Sequence, residues 1–213
     1  MSQLKQPLLT FFKAVAAGIM ISIGGCVFLS SGNRIAGAVL FAVGLYAICA
    51  HGLNLYTGKI GYLAEKKKGE VLPYLRDLLL IWLGNFTGCI LSGLAVNATR
   101  IGAALSEAAA ALTAPKLSDG LFSLFLLGIF CGILMYAAVE GYKLTKNPLI
   151  LFACVAAFIL SGFEHCVADM FYFAAAGDYT LWMLLCTVVI TLGNSAGGML
   201  VPAIVRAFTP KES

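Results

Sequence analysis

Three ionisable side chains stand close together inside an apolar stretch: Glu164, His165 and Asp169, in Ser161-Gly162-Phe163-Glu164-His165-Cys166-Val167-Ala168-Asp169. An imidazole titrates near neutral pH, with an ordinary pKa of about 6.5, so His165 can give or take a proton under physiological conditions. Its alternative role is a neutral ring hydrogen-bonded between helices. Glu164 also reads two ways: as a group on a solute path, or as a structural acceptor for backbone amides of an opposing loop. His165 and Asp169 lie four residues apart, a spacing that suits metal ligation on a helix. Glu164 points the other way and no further ligand is near, so no metal and no cofactor is expected. The second histidine, His51, reads as a helix-end residue facing a neighbour. The seven cysteines fall in apolar runs with no Cys-x-x-Cys spacing and read as packing residues.

The elements that carry these groups must be membrane helices. Only 11% of the 213 residues are charged and 61% are hydrophobic, with a mean hydropathy of +0.94. A soluble domain carries roughly 25% charged residues, so this chain cannot clothe a surface in water. That excludes most soluble enzymes, nucleic-acid binders and disulfide scaffolds; the partner surface is the lipid bilayer. Ionisable groups at membrane depth cost at least about 2.5–3.5 kcal/mol, which makes the Glu164-His165-Asp169 cluster a functional candidate.

With about 20 apolar residues needed per span, six segments emerge: Pro7–Leu29, Ile35–Leu63, Leu72–Ala98, Leu117–Leu144, Pro148–Ala176 and Tyr179–Phe208. All are read as helices, because lipid offers no partner to unpaired backbone. The apolar run after Met1–Thr10 is too long for a signal-peptide core, so the N-terminus is expected to be retained. Six spans put both termini on one side. Eleven of the fourteen basic residues fall on that side, among them Lys5, Lys13, Lys66, Lys67, Lys68 and Lys211; Arg34, Arg100 and Lys116 fall on the other. The positive-inside rule then predicts cytoplasmic termini.

Gly-Asn-x-x-Gly occurs twice, at Gly84–Gly88 and Gly193–Gly197, offset by 109 residues. Gly18 and Gly128, and Gly52 and Gly162, are each 110 apart. A single transmembrane domain, 1–213, built from two inverted three-helix repeats (roughly 7–100 and 117–208) follows from these offsets. Such repeats place a site at helices broken in corresponding positions. Gly52 and Gly162 mark breaks in the second and fifth segments near the midplane, with Asn54, Thr57 and Glu164 offering polar groups to the released amides. The downstream half-helices would present N-terminal partial charges of about +0.5 toward the centre, which suits an anion.

The string Gly162-Phe163-Glu164-His165-Cys166-Val167-Ala168-Asp169-Met170 closely resembles the fifth-helix signature of the formate/nitrite transporter family, and Asn54-Leu55-Tyr56-Thr57 resembles its second-helix loop. The resemblance runs over essentially the whole chain. It implies an aquaporin-like fold, a homopentamer with one pore per protomer, and passage of small monovalent anions such as formate, nitrite or hydrosulfide. By position it makes His165 similar to the central pore histidine, Thr57 to its threonine partner and Asn194 to the sixth-helix asparagine. Leu45 and Leu55 resemble a cytoplasmic constriction, Phe41 and Phe158 a periplasmic one, and Lys116 a vestibule lysine. Two residues depart from the pattern: Asp169 replaces an asparagine, and Gly132 stands where many members carry one. An extra carboxylate opposes an anion unless it is protonated or turned away.

The resulting expectation is a formate channel or transporter of the plasma membrane, with nitrite or hydrosulfide as alternatives. Lys116 would concentrate anions, and apolar constrictions would force the anion to cross as its neutral acid, with the proton drawn from water or through His165. A water or glycerol facilitator is a competing reading, weakened by the lack of Asn-Pro-Ala triplets. An intramembrane enzyme would need a nucleophile–base pair or a metal motif, and the sequence carries none.

Overall fold

The computed structural model describes residues 5–208; residues 1–4 and 209–213, including Lys211, lie outside the described part. In chain order the elements are α1 (Lys5–Ser30), α2 (Arg34–Ala50), a 3-10 helix (Ile60–Glu65), α3 (Val71–Asn97), α4 (Gly102–Ser118), α5 (Leu121–Thr145), α6 (Leu149–Ser161), α7 (Cys166–Ala176) and α8 (Leu181–Phe208). The described residues form helices and turns, with no strand.

By length and composition α1, α3, α5 and α8 are each able to cross a membrane, and α6 with α7, bent by 58°, makes a fifth candidate span. Apolar α2 has 17 residues, which at about 1.5 Å per residue is slightly short of the hydrocarbon core. Outward faces stay apolar, with Leu79, Leu91, Phe122 and Phe130 exposed. So large an exposed apolar surface is a contact face for lipid or another subunit.

The second segment is shorter as a helix than the sequence predicts. Beyond Ala50 the chain turns through residues 51–59 and resumes only as a six-residue 3-10 helix, so there is no second α-helical half there. The stretch before the fourth segment differs too. Its alanine-rich sequence, Gly102–Ser118, is the 17-residue α4, consistent with alanine's helix propensity. This helix packs against α7.

Glycines set the closest helix pairs. The backbone of α3 at Gly84 and Gly88 lies against α1 at Phe11, Ala14 and Val15, and α8 at Gly193 and Gly197 lies against α5 at Phe125 and Ile129. A Cβ at any of these four positions would collide with the facing helix. Gly132 belongs to the same seam: its Cβ would run into the main chain of Asn194. The departure at Gly132 is therefore a packing requirement of α5 against α8, and a larger side chain has no room there. The two interrupted segments cross over, since α7 packs on α3 while the 3-10 helix packs on α8, and α2 meets α6.

Candidate functional site

Both interruptions begin at a glycine in left-handed conformation, Gly52 with φ 60° and Gly162 with φ 73°. Such backbone is open to glycine at little cost and strained for other residues. Each break is then stitched by an asparagine from the distant third helix of a triplet. Asn85 Oδ1 accepts from Tyr56 N at 2.9 Å, while its Nδ2 donates to Ala14 O at 2.8 Å and Asn54 O at 2.9 Å. Asn194 Oδ1 accepts from Cys166 N at 2.9 Å, while its Nδ2 donates to Gly128 O and Glu164 O, both at 2.8 Å. Both asparagines are fully buried.

The sequence assigned the released backbone to Asn54, Thr57 and Glu164, and the structure corrects this. Asn85 and Asn194 do most of that work. Asn54 turns outward to α1, donating from Nδ2 to Thr10 O at 3.2 Å. Asn194 therefore braces the break and lies off both cavity walls described below. Amide groups expected to await an anion are also engaged: Cys166 N by Asn194, and Ala168 N by His165 Nδ1 at 3.0 Å.

That last bond fixes the histidine. A nitrogen accepting an N–H is bare, so the neutral His165 ring carries its hydrogen on Nε2, which lies 2.8 Å from Thr57 Oγ1. The ring therefore donates to the threonine and joins the two interruptions, and the threonine hydroxyl hydrogen is left to donate elsewhere. Phe158 stacks on the His165 ring at 5.5 Å between centroids, and Phe41 meets Phe158 edge-on at 6.1 Å. Both nitrogens being taken, His165 does not face a metal site with Asp169. His51 ends α2 as an exposed cap, its Nδ1 2.9 Å from Ala47 O.

Two cavities approach this centre from opposite ends of α2. The first, about 180 Å³, is lined by Leu45 and Leu55 with Gly52, Lys59, Tyr62 and Lys143. The second, about 430 Å³, is lined by Phe158, His165, Gly162, Asp169, Lys116 and Arg34. Leu45 and Leu55 line the first cavity and Phe158 the second, Phe41 touches Phe158, and all four are buried.

The charged wall of the larger cavity holds the main surprise. Lys116, near the end of α4, is ion-paired through Nζ to Glu164 Oε2 and, at 3.1 Å, to Asp169 Oδ1. Glu164 thus meets an ammonium; neither of its sequence readings, a group on the path or an acceptor for loop amides, included that partner. Lys116 is held by two carboxylates and is no free cation. Arg34, exposed at the start of α2, makes no ion pair with a described residue and is the unpaired cation on this wall. The sequence counted Arg34 only toward orientation, although it was one of just three basic residues on that side. Asn85 stands in the repeated Gly-Asn-x-x-Gly motif, and its equivalence to Asn194 is the signal in the sequence that marks it.

The family model described as formate/nitrite transporter matches residues 2–208. Formate channel FocA of Haemophilus influenzae is 28% identical over 191 residues, covering 78% of this chain and 66% of that protein. Nitrite transporter NirC of Salmonella typhimurium is 26% identical over 230 residues, covering 91% of this chain and 80% of that protein. This chain thus spans slightly under two thirds of the length of the formate channels it matches. A solved pentameric formate channel with formate bound has a TM-score of 0.83 at 25% identity, covering 97% of this chain and 98% of the other.

Proposed function

Since this chain belongs to the formate/nitrite transporter family, we propose that it conducts small monovalent weak-acid anions through an integral membrane pore, formate foremost. The observation that carries this reading is a buried contact between Thr57 and His165, with one cavity reaching His165 beside Phe158 and another ending at Leu55, two residues before Thr57. Formate is favoured by the formate-channel relatives and by the formate-bound structural neighbour. Nitrite is the second reading, favoured by the NirC relatives, and hydrosulfide has the same charge and small size.

A bare anion between Leu45, Leu55, Phe41 and Phe158 loses its hydration without gaining a counter-ion, which is prohibitive. In so apolar a space the anion's own affinity for a proton rises. It therefore takes a proton from vestibule water, directly or by relay through the His165–Thr57 pair, which regains from water each proton it passes on, and crosses the neck as the neutral acid. Thr57, accepting from His165 Nε2, has its hydroxyl hydrogen available for the anion's oxygen. Arg34 is the unpaired charge that draws anions into the larger vestibule.

The same proposal includes six spans, with α2 and its continuation as the second and α6–α7 as the fifth, in two inverted repeats over roughly 7–100 and 117–208. The matching Asn85 and Asn194 braces support that symmetry. Cytoplasmic termini in the plasma membrane follow from the basic-residue distribution. A homopentamer is supported by the pentameric neighbour and by an open apolar groove between α3 and α8, lined by Leu75, Leu79, Trp82 and Val188.

Formate uptake into proteoliposomes at two external pH values tests this. His165→Asn is expected to lower the rate and alter its pH dependence; unchanged values would remove the histidine from the mechanism. Phe158→Ala should weaken discrimination against larger acids. Osmotic shrinkage assays separate this reading from a water or glycerol pore, which would respond without any weak acid present.

A further inference from the structure

The cluster at Lys116 does not balance. Two carboxyl groups converge on one ammonium, and side-chain exposures are only 13% for Lys116, 6% for Glu164 and 2% for Asp169. If both carboxyls are ionised, one negative charge remains without a counter-ion in a space walled by apolar side chains. Buried charges persist only when paired and hydrogen-bonded. The second carboxyl oxygen of Asp169 makes the imbalance concrete. Oδ2 is buried and has no hydrogen-bond partner among the described residues, and its residue lines the larger cavity.

The other titratable groups around Asp169 offer no compensation. They are Cys131 on α5, Cys186 on α8, Cys166 and Tyr172 on α7 itself, and His165 at the start of α7, whose Nδ1 accepts from Ala168 N and so has no free site for the second proton that would make the ring cationic. Thiols and phenols are neutral near pH 7, so none supplies a positive charge. Arg34, on the same cavity wall, forms no ion pair with either carboxyl.

We infer that Lys116, Glu164 and Asp169 together bind one exchangeable proton, taken by a carboxyl oxygen from vestibule water. With the proton bound, one carboxylate and one ammonium cancel and the second carboxyl is neutral. When it leaves, the wall facing an arriving anion becomes negative. The proton site stands on the charge count alone. Its effect on conduction rests on the anion path proposed above: the vestibule admits anions when the cluster is protonated and repels them when it is not.

Infrared difference spectroscopy on the lipid-reconstituted protein tests the site with no transported solute present. A protonated-carboxyl C=O band that disappears as pH is raised from about 5.5 to 9.5 is expected, with one proton released per protomer. Asp169→Asn and Glu164→Gln should each abolish it, because the one remaining carboxyl then pairs with Lys116 and has no reason to hold a proton. Lys116→Met should instead enlarge it toward two protons. A band absent from the wild type, or persisting in Asp169→Asn, overturns the inference. So does saturable Na⁺ binding without a carboxyl band, which would make the missing charge a metal cation.

Formate flux across the same pH range reads the consequence. The wild type should lose rate on the alkaline side more steeply than Asp169→Asn, by up to about tenfold more per pH unit, the limit for loss of one proton. Should neither protein conduct weak acids at all, the anion-path reading fails while the infrared result still decides the proton site.

Discussion

The chain is interrupted after Ala50 and after Ser161, and the two breaks share a scaffold while differing in chemistry. Each starts at a left-handed glycine, and each is tied by a buried asparagine bonded to three backbone groups. From there they diverge. The first continues as a turn and a short 3-10 helix and contributes a neutral hydroxyl, Thr57; the second continues as α7 and contributes His165 together with the Glu164–Lys116–Asp169 cluster. A repeated scaffold thus holds an asymmetric centre: the backbone solution is duplicated, and the charge is put on one side of it. The reason is electrostatic. One neutral donor pair can be shared by both breaks, whereas a second buried charge cluster would add its desolvation cost without a compensating role.

That comparison can be broken most severely at the braces. Asn85→Leu and Asn194→Leu each strand three buried backbone groups, at about 1–3 kcal/mol per group. Both are expected to lower the thermal midpoint of the detergent-solubilised protein by similar amounts. A large loss at one site with none at the other would refute the equivalence of the breaks.

Next in size is the asymmetry itself. Lys116→Met leaves two carboxyls without their cation and should destabilise by up to about 3–5 kcal/mol. Adding Asp169→Asn and Glu164→Gln to that variant should restore much of the melting temperature. If the triple substitution melts no higher than Lys116→Met, charge imbalance is not what Lys116 relieves.

The smallest effect sharpens the shared element. Gly52→Ala and Gly162→Ala meet open space with their new Cβ, so only left-handed backbone strain remains, about 1–2 kcal/mol each. Near-equal shifts in the melting temperature are expected. A cost confined to Gly162→Ala would mean that the first break relaxes without its glycine.

Much of this was legible beforehand. The low charge and apolar runs pointed to membrane helices, the glycine offsets located both interruptions, and Glu164-His165 marked the centre. The alanine-rich run before Lys116 falls between two apolar segments of the sequence and is the helix α4 in the structure; it is too short and too weakly apolar to register as a span. Lys116 looks like a free cation in the sequence for a different reason: its partners lie 48 and 53 residues further along the chain, and charge pairing at such separation leaves no local pattern.

The sequence by itself determined the solvent of this protein, the helical class and the two glycine breaks, since each depends on composition or on one residue's own backbone freedom. Only the tertiary structure decided what those breaks hold. The tautomer of His165 depends on an amide in the next turn, its partner Thr57 comes from 108 residues away, and the charge on the wall of the larger cavity depends on α4 folding back to set one ammonium between two carboxyls. Those are sums over groups brought together in space, and a net charge at a site is a property of the assembly rather than of any residue in it.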